Sequence, residues 1–198
     1  MSKEITATAA SPFATLANAP AWLRGSGIVL AGSAFAALCA HLSLPLFFTP
    51  VPLSLAPFAV LALGLLLSPR MAAATFAAYL AEGAAGLPVF APSPASAGLA
   101  HLFGPTGGYL LAYPAAAALI AFLFRHSRRG YAAAFVSAAI GDLLILSCGA
   151  LWLAAFAHLA VTQAAALAVL PFVAGDALKI AAAAGLASGA ARLRRRRA

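Results

Sequence analysis

The stretch RHSRRGYAAAFVSAAIGDLLILSCGALWLAA, residues 125–155, decides the fold. Three arginines, Arg125, Arg128 and Arg129, precede an apolar run from Tyr131 to Ala155 in which Asp142 is the only charged residue. A hydrocarbon core about 30 Å thick needs roughly 20 apolar residues at helical rise, so this run predicts a membrane-spanning helix entered from a cation-rich surface. The whole chain has the same character. It is 64% hydrophobic and 8% charged, with a mean hydropathy of +1.00, and has too little polar surface to cover a water-soluble fold.

Working outward, the apolar runs are Gly25–Leu44, Leu53–Leu67, Met71–Gly86, Gly107–Phe124, Tyr131–Ala155 and Val173–Ala191. They are Ala/Leu-rich rather than alternating. Because every backbone group must be satisfied internally in lipid, this favours helices over a barrel. The expected class is an all-α membrane protein of about six transmembrane helices. Residues 25–191 form one membrane domain, residues 1–24 a cytoplasmic N-terminal tail and residues 192–198 a basic cytoplasmic C-terminal tail. Met1 to Ala19 is polar and lacks the apolar segment of a signal peptide. Phe156–Leu170, ahead of Pro171, reads as a helical extension or a re-entrant piece.

The cations orient the helices. Lys3, Arg24, Arg70, Arg125, Arg128, Arg129, Arg192 and Arg194–Arg197 all fall at the N-terminus, the second and fourth connections, or the C-terminus. The positive-inside bias places these, with both termini, in the cytoplasm of a multi-pass protein of the cell membrane. The net charge of +8 is therefore a lipid-headgroup anchor, and no aromatic-interleaved basic face suggests nucleic acid.

The acidic residues are more informative. Of four, Glu82, Asp142 and Asp176 lie in or at the edge of spans, as does Lys179. A charge at mid-bilayer costs about 2.5–3.5 kcal/mol even on insertion scales, so each needs a partner, a wet cavity or a ligand. Asp176 and Lys179 are three apart and share a helix face, either as a self-neutralising ion pair or as joint holders of a polar ligand. Asp142 fits a structural hydrogen bond as well as a site role. Two proline-rich connections, His41–Pro52 and Leu87–Thr106, face the outer side, where short second and third spans hinged at Ser68-Pro69-Arg70 leave room for a cavity.

Gly104-Pro-Thr-Gly-Gly-Tyr109 lacks the Gly-Lys-Ser/Thr ending of a phosphate loop. Its glycines are expected to turn the chain into the fourth helix, with Thr106 and Tyr109 offering hydroxyls to the cavity. Glu82, before Gly83 and Gly86, either caps a loop amide or faces the same cavity. Trp152 sits at the outer interface and could stack on a ligand ring. Gly32, Ala36 and Ala40 form a smooth face for close helix approach. Cys39 and Cys148 fall within spans as small apolar groups, and His41, His101 and His158 have no metal-ligand spacing. An intramembrane enzyme built on Ser26 with His101 or His158 would need groups at one depth, whereas these lie near opposite surfaces.

Several segments together resemble the BioY family, the biotin-specific S-components of energy-coupling-factor (ECF) transporters. They are Pro50-Val-Pro52, Gly64 through Ser68-Pro-Arg70, Gly86-Leu-Pro-Val-Phe-Ala91, Gly104-Pro-Thr-Gly-Gly-Tyr-Leu110 and Pro171-Phe-x-x-Gly-Asp-x-x-Lys179. The resemblance implies a six-helix subunit that captures biotin from outside and delivers it with a transmembrane coupling protein and two ABC-type ATPases. It implies no enzyme activity of its own and no cofactor. It makes Asp176 and Lys179 the leading binding residues, followed by Tyr109 and Thr106, with Phe90 as an apolar wall and Gly32, Ala36 and Ala40 as the docking face for the coupling protein. Two departures stand out: Ala56 replaces the family's usual Gln, and Pro92-Ser-Pro-Ala-Ser96 lacks an amide, leaving Ser93, Ser96 or Glu82 as substitutes. The alternative is an S-component for another small anionic vitamin.

Overall fold

The structure is a computed structural model that describes residues 20–92 and 98–197. The expected N-terminal tail up to residue 19, with Lys3, and the substitutes Ser93 and Ser96 lie outside the described residues. Six longer helices carry the architecture: α1 (Ala21–His41), α2 (Ala56–Leu66), α3 (Pro69–Ala84), α5 (Gly107–Arg125), α6 (Tyr131–Phe156) and α8 (Val173–Arg197). Two short ones, α4 (Leu99–Leu102) and α7 (Val161–Ala168), lie in the connections before α5 and α8.

By length and composition, α1, α5 and α6 are each able to cross a membrane. The pair α7 and α8, bent by 56°, gives a fourth crossing if counted as one broken span. At 11 residues α2 is about 16 Å long, shorter than the hydrocarbon core. The reason is local. Leu67 is extended ahead of Ser68 and Pro69, as a proline demands of the chain before it. The Ser68 hydroxyl then accepts the Met71 amide at 3.4 Å to start α3. Likewise Pro171 separates α7 from α8, so that residues 156–170 hold a separate short helix, the first arm of either a broken span or a re-entrant loop. Residues 192–197, expected as a tail, continue α8.

One element lies outside the all-α expectation. The proline-rich connection after α1 closes on a two-residue antiparallel ladder, β1 (Ser43–Leu44) with β2 (Leu53–Ser54), pairing Ser43 with Ser54 and Leu44 with Leu53. Proline lacks an amide donor, so Pro45, Pro50 and Pro52 fall in the loop between the strands rather than in the ladder.

Helix α3 packs between α1 and α5, and α6 between α5 and α8. Glycines bring the helices close: Ile120 of α5, fully buried, fits against Gly64 of α2 and Gly141 of α6. One buried cluster, including Leu61, Leu65, Phe124, Ala134 and Ala187, fills the end of the bundle near Arg125, Arg128, Arg129 and Arg192. A second, with Phe76, Tyr79, Tyr109, Tyr113, Ile145 and Phe172, lies towards the opposite end, around a cavity.

Candidate functional site

The start of α8 supplies the charged pair. Asp176 in its first turn and Lys179 one turn on are joined by a 2.7 Å ion pair, with side chains only 5% and 8% exposed. Burying two charges is costly, and their attraction in a low-dielectric site repays it only when the geometry is good. Both residues line a cavity of about 210 Å³ at the end of the bundle away from the arginines. That is more than ten times the space one water needs, so the cavity can take a small organic molecule.

Its walls come from most of the chain. The loop between β1 and β2 gives Leu46, Thr49 and Val51, with Thr49 Oγ1 accepting the Val51 amide at 3.3 Å. Tyr79 comes from α3, Thr106, Tyr109 and Tyr113 from the start of α5, and Asp142, Ile145 and Leu146 from α6. Phe172 and His101, both buried, complete the wall. The lining is apolar and aromatic with a few polar groups, the usual composition of a small-molecule site. Ala56, where the resemblance leads one to look for Gln, lines it too, so the missing side chain leaves space in the wall.

Asp176, Lys179, Tyr109 and Thr106 are thus brought together. The Tyr109 hydroxyl, however, donates to the Ala168 carbonyl at 2.6 Å and fastens α5 to the end of α7, so only its ring and edge are offered to the cavity. Its ring rests on Gly149, where any Cβ would collide with it.

Three other candidates stand outside the lining. Phe90 is buried behind it, stacked on His101 with centroids 5.1 Å apart and edge-on to Tyr79 at 5.3 Å, above Gly83. It supports the wall rather than forming it. Trp152 donates from Nε1 to the Gly104 carbonyl at 2.9 Å and packs on Gly107 and Gly108. Those glycines therefore serve close approach of α5 to the indole, and neither has the positive φ of a sharp glycine turn. Glu82 accepts the Ser33 hydroxyl at 2.9 Å, tying α3 to α1, and neither caps a loop nor reaches the cavity.

The small-residue face of α1 also needs correcting. Gly32, Ala36 and Ala40 are buried inside the chain: a Cβ on Gly32 would meet Thr75 Cγ2 of α3 at 2.6 Å, and Ala40 lines the cavity. Gly32 thus packs against the protein's own α3 and α2, and all three residues are buried in this structure.

Tyr79, Tyr113 and Phe172 line the cavity without standing out in the sequence as site residues, as do His101, which the sequence offers only as a metal ligand or a base, and Asp142, which fits a structural role as well. Tyrosine inside an apolar run carries a hydroxyl that needs a partner, and that signal was available at Tyr79 and Tyr113. Among the described residues, Tyr79 Oη and Asp142 Oδ1 are the buried side-chain polar atoms left without a hydrogen bond. Each such atom costs about 1–3 kcal/mol. No cluster able to hold a metal occurs among the described residues.

The model of the BioY family matches residues 11–196. The chain is 41% identical over 134 residues to a probable biotin transporter BioY of Pyrococcus horikoshii, covering 68% of this chain and 76% of that one. It is 35% identical over 155 residues to biotin transporter BioY2 of Lactococcus lactis subsp. cremoris, covering 77% and 81%. Among solved structures it is similar to the S-component for biotin from an ECF-type ABC transporter, with a TM-score of 0.77 at 25% identity over 88% of this chain and 92% of that one.

Proposed function

The chain belongs to the BioY family, and on that footing we propose that it is the biotin-binding S-component of an ECF-type importer. The observation that carries the reading is the buried Asp176–Lys179 pair on the wall of an otherwise apolar cavity. Biotin has an apolar bicyclic body, a ureido group with two N–H donors and a carbonyl, and a tail ending in a carboxylate. Lys179 takes the carboxylate by a charge-assisted bond, Asp176 accepts a ureido N–H, and the aromatic walls cover the body. Binding separates the resting ion pair and gives each charge a new partner, so neither is left bare in the low-dielectric site.

The same reading makes the chain a multi-pass protein of the cell membrane, with six helices in the bilayer, both termini cytoplasmic and the cavity open to the outside. Support comes from the arginines at the end of the bundle away from the cavity and from the positive-inside bias. Transport is completed by a transmembrane coupling protein and two ABC-type ATPases. These hydrolyse ATP, so this subunit catalyses nothing itself and needs no cofactor.

Ala56 in the cavity wall keeps a second reading in view, that of an S-component for a different small anionic vitamin. Displacement of labelled biotin from the purified protein by a panel of vitamins separates the two. Unlabelled biotin is expected to compete best, and a different vitamin displacing the label at lower concentration supports the alternative.

A further inference from the structure

The Asp176–Lys179 pair leaves part of the cavity's chemistry unused. Asp142 projects from the middle of α6, 4% exposed, and lines the same cavity as Asp176 and Lys179. Tyr79, fully buried on α3, lines the same cavity. Each holds a buried polar atom with no hydrogen-bond partner among the described residues, Asp142 Oδ1 and Tyr79 Oη. A buried acceptor and a buried hydroxyl without partners, carried by two residues that line one cavity, match a ligand that brings both a donor and an acceptor.

We propose that Asp142 is a second carboxylate of the ligand site, accepting an N–H of the bound molecule, while the Tyr79 hydroxyl donates to an acceptor on it. This rests on the biotin reading and specifies it. A ureido group presents two N–H donors pointing in different directions, and one carboxylate beside Lys179 serves only one of them well. Asp176 and Asp142 lie on different helices, α8 and α6, and line one cavity. Together they supply one acceptor per donor, and Tyr79 serves a carbonyl. The ligand class selected is a neutral cyclic urea or amide head with donors on two sides, carried on an anionic tail that Lys179 receives. A head lacking N–H donors leaves two carboxylates facing each other with nothing between them.

The test is calorimetric titration of purified Asp142→Asn, Asp142→Ser and Tyr79→Phe with biotin and with its two mono-N-methyl ureido analogues, each variant's fold being checked by thermal melting. Both Asp142 variants are expected to bind biotin about tenfold or more weakly than wild type. For one of the two methylated analogues, which has already lost the donor, wild type and Asp142→Asn are expected to differ by no more than about twofold, because the interaction is then absent on both sides of the cycle. Tyr79→Phe is expected to weaken biotin and both analogues alike. Unchanged biotin affinity in folded Asp142 variants overturns the proposal while leaving biotin binding intact, as does an equal loss for biotin and both analogues, which marks a structural role. Failure of the wild type itself to bind biotin removes the functional reading beneath it. If Asp142→Asn does not fold, Asp142→Ser carries the same comparison.

Discussion

Lys179 is the residue on which the buried ion pair and the proposed ligand contact meet. Removing it has two consequences that must be told apart: Asp176 loses its 2.7 Å partner, and the ligand loses a cation. The first destabilises the protein by about 3–5 kcal/mol, the usual cost of stranding a buried charge. The second weakens biotin by about ten- to a hundredfold, as for a charge-assisted bond. Lys179→Ala is therefore expected to lower affinity for biotin much more than for biotin amidated at its tail. Titrating both ligands checks this, and equal losses would remove the carboxylate assignment. That Asp176 and Lys179 come together was legible in the sequence, because residues three apart share a helix face. That Tyr109 spends its hydroxyl on the Ala168 carbonyl was not, since the partner lies 59 residues away and depends on where α7 ends.

Among the elements, the helix starts and stops were readable where proline or serine punctuates the chain, as at Ser68-Pro69 and Pro171. Helix packing was less so. Gly32, Ala36 and Ala40 are small and buried, but a spacing pattern does not say what each one packs on, and for Gly32 it is Thr75 of α3. Gly32→Val is accordingly expected to destabilise the isolated subunit by about 1–3 kcal/mol through overpacking against Thr75, lowering its melting temperature in detergent with no partner present. An unaltered melt combined with failure to assemble would restore the docking role to this face. The β1–β2 ladder was likewise invisible, because four residues among prolines carry no readable alternation.

For the whole molecule, polarity along the bundle axis is the organising feature. Arginines gather where α2, α5, α6 and α8 have their ends, and the cavity opens among the loops at the other end. The charge pattern alone carried this, since topology depends on where Lys and Arg fall and not on side-chain contacts. A membrane-impermeant maleimide added to intact cells is expected to label Leu99→Cys, which is 57% exposed near the cavity end, and to spare Arg128→Cys until the membrane is opened. The reverse pattern contradicts the orientation.

On the proposed orientation the cavity opens to the outside, where a vitamin is captured before any ATP is spent on moving it. What the cavity binds is therefore the centre of the account, and direct titration of the purified protein in detergent with biotin tests it most simply. Saturation at one biotin per chain, with an affinity tighter than micromolar, is predicted. An absence of heat or fluorescence change at micromolar biotin contradicts it.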